Sequence, residues 1–77
     1  MTIAYVLIQT EVGVTGRVVM ELSGIKGVTE AEGVTGPYDI VARAEANSLD
    51  ELGKLVVGRI QAVAGVTRTL TCPLLSS

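Results

Sequence analysis

The chain has 77 residues, of which 48% are hydrophobic and 18% charged, and it carries a net charge of −2. This is room for a single domain over residues 1–77, too apolar to stay disordered and without the basic stripe that a duplex-DNA binder needs to neutralise phosphates. Histidine is absent and cysteine occurs once, which excludes a disulfide framework and a multi-cysteine zinc site; no metal or cofactor is expected.

The apolar run at the start, Ile3 to Ile8, spans only six residues, whereas a membrane-crossing helix needs about twenty. No Lys or Arg precedes Arg17, so the basic segment of a signal peptide is missing. The expected location is cytoplasmic.

Ile3 to Thr10 is β-branched and apolar on both alternating faces, and predicts a central strand covered from two sides. Val14 to Ser23 predicts a helix with Thr15 as N-cap and Val18, Leu22 and Ile25 on one face, stopped by Gly24 and Gly27. Val28 to Thr35 predicts a second strand; Glu30 and Glu32, placed with Val28 and Val34, make a mixed face suited to a sheet edge. After a turn at Gly36-Pro37, Tyr38 to Glu45 predicts a third strand, again apolar on both sides.

Ser48 opens the second helix, with Ser48-x-x-Glu51 as a capping box and Asp50 adding negative charge to the first turn. Leu52, Val56, Ile60 and Val63 run down one face. Gly53 and Gly58 lie inside the helix at a cost of up to about 1 kcal/mol each relative to alanine. Gly65 ends it, and Val66 to Pro73 predicts the fourth strand.

The order is β-α-β-β-α-β, with an internal repeat. Ile25-x-Gly27-Val28-Thr29 returns as Val63-x-Gly65-Val66-Thr67, and Tyr5-Val6-Leu7-Ile8 returns as Tyr38-Asp39-Ile40-Val41. Two βαβ halves predict an α+β, ferredoxin-like βαββαβ sandwich: four antiparallel strands, the first and third central, with both helices on one face. The second sheet face is apolar and has no residues left to cover it. A second copy packed sheet against sheet about a two-fold axis is the simplest cover, giving a dimeric α/β barrel. Higher assembly of dimers is compatible with this.

Catalytic groups are scarce. Cys72 has neither a histidine nor a second cysteine to activate it and reads as a small, half-buried hydrophobe. Glu30 and Glu32 read as a solvated edge, and no glycine-rich phosphate loop is present. Tyr5 and Tyr38 lack the basic flanks of an RNA-binding sheet. The stretch Val34-Thr35-Gly36-Pro37-Tyr38-Asp39-Ile40 stands out: a rigid corner holds a phenol and a carboxylate at the start of a central strand. Asp39 can take an ammonium group and free N–H groups a carboxylate, which suits a small zwitterion. The competing reading is that Tyr38 packs and Asp39 ends a turn. Thr67, Thr69 and Thr71 form a hydroxyl ladder on one face of strand four, either ligand contacts or ordinary β-formers.

Taken together, Tyr5-Val6-Leu7-Ile8, Gly27-Val28-x-x-Ala31, the corner from Val34 to Ile40, Ser48-x-Asp50-Glu51-Leu52 and Gly65-Val66-x-Arg68-Thr69-x-Thr71 resemble the effector-binding (RAM) domain of Lrp/AsnC regulators. The resemblance implies a dimeric α/β barrel that associates into rings of dimers, with amino acids or similar effectors held in clefts between dimers. It carries ligand binding onto Gly36, Tyr38 and Asp39, then onto Thr35, Thr69 and Thr71. The family more often has a polar residue where this chain has Pro37, which lacks an N–H to donate. Full-length members carry a helix-turn-helix; here strand one begins at Ile3, so the chain reads as a stand-alone form.

The expected function is a non-enzymatic sensing and oligomerisation domain that modulates transcription of amino acid metabolism through full-length Lrp/AsnC regulators, without binding DNA. The alternatives are a small cofactor-free monooxygenase or isomerase of the barrel type and an ACT-type module with its ligand by Gly13.

Overall fold

The computed structural model describes residues 1–75. The elements are β1 (Thr2–Thr10), α1 (Thr15–Ser23), β2 (Val28–Gly33), β3 (Ile40–Ala46), α2 (Leu49–Leu55) with a π-helical continuation (Val56–Ile60), and β4 (Val66–Pro73). All pairings are antiparallel and the sheet order is β2-β3-β1-β4. The expected ferredoxin-like arrangement is present, with β1 and β3 in the centre.

The helices cover one face. Ala4, Val6 and Ile8 of β1 and Ile40, Ala42 and Ala44 of β3 are buried there, against Val18 and Leu22 of α1 and Leu52, Val56 and Ile60 of the second helical segment. Burying each large side chain contributes roughly 1.5–3 kcal/mol, more than any single cap, so packing rather than local propensity holds the helices. Ser48 does cap α2: its Oγ accepts from the Glu51 N–H at 3.1 Å. Ser48→Ala should lower unfolding stability by about 1 kcal/mol, read by urea titration at fixed protein concentration.

Several local expectations change. Thr15 is the first helical residue rather than the N-cap, which is Val14 with no side-chain cap bond; the Thr15 hydroxyl instead meets that of Thr10 at 2.8 Å. The second helix widens into a π turn, closed by the Gln61 N–H on the Val56 carbonyl at 2.8 Å, and ends at Ile60, well before Gly65. β2 stops at Gly33 and β3 starts at Ile40. The intervening loop is closed by the Val34 N–H on the Asp39 carbonyl at 2.8 Å, and Pro37, with no N–H, cannot extend the ladder.

Two irregularities reassign faces. The register slips between Val28 and Glu30, so Val28 is buried while Glu30 and Glu32 lie on the opposite face. β4 slips opposite Gln9/Thr10 and skips Thr67. Thr69 and Thr71 pair with the buried Ile8 and Val6 and therefore lie on the helix side, without Thr67; the three-threonine ladder does not exist. The glycine half of the internal repeat is real: Gly27 and Gly65 have φ of +100° and +99°. The tyrosine half is not, because Tyr5 lies within β1 whereas Tyr38 precedes β3.

The open face carries Ile3, Tyr5 and Leu7 of β1, Val41 of β3, and Leu70 and Cys72 of β4, as the strand registers place them. Tyr5 is 41% and Leu70 47% exposed. β3 is less apolar here than expected, since Arg43 and Glu45 share this face as an ion pair. Cys72 is exposed rather than half-buried.

Candidate functional site

The corner between β2 and β3 is pinned from below. The Asp39 N–H donates to the Ile8 carbonyl at 2.9 Å, continuing the β3–β1 ladder by one bond. The Asp39 carboxylate accepts from the Thr10 N–H at 2.8 Å and, at 3.5 Å, from the Thr10 hydroxyl. Gln9 Nε2 donates to the Pro37 carbonyl at 2.8 Å. The end of β1 thus supplies four polar groups that fix the loop, and Gly36 adopts a φ of +140° at its tip.

The result is a rigid loop with a polar, accessible outer side. Thr35, Gly36 and Pro37 are exposed, and Tyr38 and Asp39 are half-buried. Asp39 closes the loop through its carbonyl and its Oδ2, and the residue as a whole is half-buried. A carboxylate oxygen holds about two acceptor sites, and the structural bonds converge on Oδ2.

Four of the six expected ligand residues, Thr35, Gly36, Tyr38 and Asp39, come together in this loop. Thr69 and Thr71 do not join them. They lie on β4, separated from β3 by β1, and the Thr69 hydroxyl accepts from Gln61 Nε2 at 2.8 Å. Three shallow clefts open elsewhere: on the outer side of α2 around Leu49, Gly53 and Val57, beside Lys26 and Glu45, and between the helices around Met20 and Ala62. None of these three touches the corner. Sequence reasoning missed Gln9 and Thr10 as supports of the loop. Their contacts to it join residues 28 and 29 apart, and no local pattern marks such pairs.

Among the described residues no three His, Cys, Asp or Glu side chains converge as a metal site, and no helix is long and apolar enough to cross a membrane.

The family profile of the Lrp/AsnC ligand binding domain matches residues 3–77. The chain belongs to that family. An uncharacterised HTH-type transcriptional regulator of Pyrococcus furiosus is 36% identical over 73 residues, covering 91% of this chain and 49% of the regulator. The chain spans about half the length of the curated regulators it matches. The crystal structure of TTHA0845 from Thermus thermophilus superposes with a TM-score of 0.92 at 31% identity, covering 100% of this chain and 96% of that one. A homocitrate synthase of Sulfurisphaera tokodaii is 42% identical over 57 residues, covering 74% of this chain but 12% of the synthase. The matching domain thus makes up about half of these regulators, and a matching stretch also occurs as a small share of an enzyme.

Proposed function

We propose that this Lrp/AsnC domain is a non-enzymatic sensor and oligomerisation module. It pairs through its open sheet face, the dimers associate further, and an amino acid or similar small effector binds at the corner formed by Thr35, Gly36, Tyr38 and Asp39. Thr69 and Thr71 contribute where an effector is held between dimers. The module acts on full-length Lrp/AsnC regulators by forming mixed oligomers and does not itself bind DNA.

The observation that carries this reading is the pairing of a bare apolar sheet face, centred on Tyr5, Leu7 and Leu70, with a braced polar corner at the end of the same sheet. Large exposed apolar patches mark interaction sites. A braced corner is preorganised for a ligand, which lowers the ordering cost of binding. The net charge of −2 supports a role apart from the nucleic acid. A regulator from Neisseria meningitidis with this fold has been solved in complex with L-Met (TM-score 0.84, 14% identity); at that identity the likeness is one of fold alone. Two kinds of protein that carry a matching stretch, a regulator and a synthase, support a module that works alongside different partners.

Calorimetric titration of the intact oligomer with the common amino acids tests the sensing half. One or a few should bind with measurable heat. Asp39→Asn keeps an oxygen for the Thr10 N–H and removes the charge. It should weaken that binding about tenfold or more, in line with the loss of a charged hydrogen bond, while leaving the unfolding midpoint nearly unchanged. Silence from every amino acid would defeat the sensor reading.

A further inference from the structure

Only one of the two Asp39 carboxylate oxygens is spent on the fold. Oδ2 accepts from the Thr10 N–H at 2.8 Å and, at 3.5 Å, from the Thr10 hydroxyl. Among the described residues Oδ1 takes no hydrogen bond. It is therefore the oxygen left for an ammonium group, and its direction depends on what holds Oδ2.

The support of Oδ2 does not end at Thr10. The Thr10 hydroxyl lies 2.8 Å from that of Thr15, and the contact is partly buried. Each hydroxyl has one proton to give, and an ionised carboxylate can only accept. The arrangement that uses every group has Thr15 donating to Thr10 and Thr10 donating to Asp39. Such a chain of donors ends on a charge, and each bond in it strengthens the next.

Thr15 departs from a local rule to make this link. It is the first residue of α1, and the N-cap before it, Val14, makes no side-chain cap bond. A threonine hydroxyl at a helix start ordinarily serves the free N–H groups of the first turn. Here the hydroxyl is given to β1 and the helix goes without. Where a sequence breaks a local rule, a demand elsewhere in the fold is the usual reason. Thr15 also stands near the other end of the corner: a Cβ at Gly33, the last residue of β2, would lie 4.0 Å from Thr15 Cγ2.

We propose that Thr10 and Thr15 are positioning residues of the corner, their hydroxyls forming a relay from the start of α1 that fixes the Asp39 carboxylate with Oδ1 free for the ammonium group of an amino acid. The relay preorganises the charge, so that binding does not have to order it. Thr15 touches no ligand and acts through Thr10 and Asp39. The inference rests on the reading of the corner as an amino acid site.

The test titrates each of the twenty common L-amino acids into the full wild-type chain and then follows the tightest binder in variants. Thr15→Val keeps the shape and removes the hydroxyl; it should weaken binding about threefold to tenfold, the share of one neutral hydrogen bond. Thr15→Ser keeps the hydroxyl and should bind like wild type. In an Asp39→Asn background, Thr15→Val should add less than about a twofold loss, because the relay no longer ends on a charge; a residue that merely holds the fold would give additive losses. Amide hydrogen exchange of the free protein supplies a reading that needs no ligand. The Thr10 N–H, which donates to Asp39, should exchange at least about threefold faster in Thr15→Val and at the wild-type rate in Thr15→Ser. If wild type binds an amino acid and Thr15→Val binds it equally well, or the losses add, the relay is overturned while the sensor stands. A wild type that binds none of the twenty overturns the sensor and the relay's purpose together.

Discussion

Gly65→Ala should lower the midpoint of thermal unfolding by about 10–30 °C at fixed protein concentration, the shift expected for a loss of roughly 2–4 kcal/mol in a domain of this size. Gly65 has a φ of +99°, a region that costs an L-residue about 1–3 kcal/mol. A Cβ there would also lie 2.9 Å from Val14 Cγ2 and 3.2 Å from Val18 Cγ2. Val18 is fully buried, so the clash falls on the start of α1 where it seats against the sheet. The site is a crossing point as well: the Glu11 N–H donates to the Gly65 carbonyl at 2.9 Å and Arg17 Nη2 to the Ala64 carbonyl at 2.8 Å. Gly27 is its counterpart in the first half, with a Cβ position 2.8 Å from Leu55 Cδ2 and 3.2 Å from the Glu45 carbonyl. Gly27→Ala should cost a similar amount. Differential scanning calorimetry of the two variants checks both, and an unchanged midpoint for either would show that the turn does not need the geometry described.

Leu7→Asp should separate pairing from folding. Leu7 lies on the open face between Val41 and Leu70, while its neighbour Val6 points the other way and is fully buried. A charge at position 7 stays hydrated in a lone protomer but loses its water at a sheet-to-sheet interface, a cost of several kcal/mol when no partner compensates it. Self-association should weaken by two or more orders of magnitude, with the far-ultraviolet circular dichroism of a folded domain retained. Val6→Asp buries the same charge beneath the helices and should abolish folding. The contrast between adjacent residues of one strand is what makes the pair informative: a Leu7→Asp variant that unfolds, or that associates like wild type, would show that the open face is not the interface.

The architecture was legible because β1 and β3 are short runs apolar on both faces, bounded by turn residues, and the second helix keeps Leu52, Val56 and Ile60 on one face. Those patterns depend on neighbours a few residues apart, and burial follows them closely. What the pattern missed were the one-residue slips. A bulge between Val28 and Glu30 moves two carboxylates to the opposite face, and another opposite Thr10 removes Thr67 from the row of threonines. A bulge has no periodicity of its own, yet it inverts every side chain beyond it. The corner was found through Gly36, Pro37 and Asp39, residues whose turn chemistry is local. Its supports at Gln9 and Thr10 were not, because they reach it across the sheet. On β3, the pairing of Arg43 with Glu45 two residues on lets both sit on the open face.

Sedimentation equilibrium of the wild-type chain at micromolar concentration tests the central claim most directly. The open face predicts a species of twice the 8.0 kDa chain mass or a multiple of it. A stable particle of single-chain mass would leave Tyr5, Leu7 and Leu70 exposed to water and contradict the account.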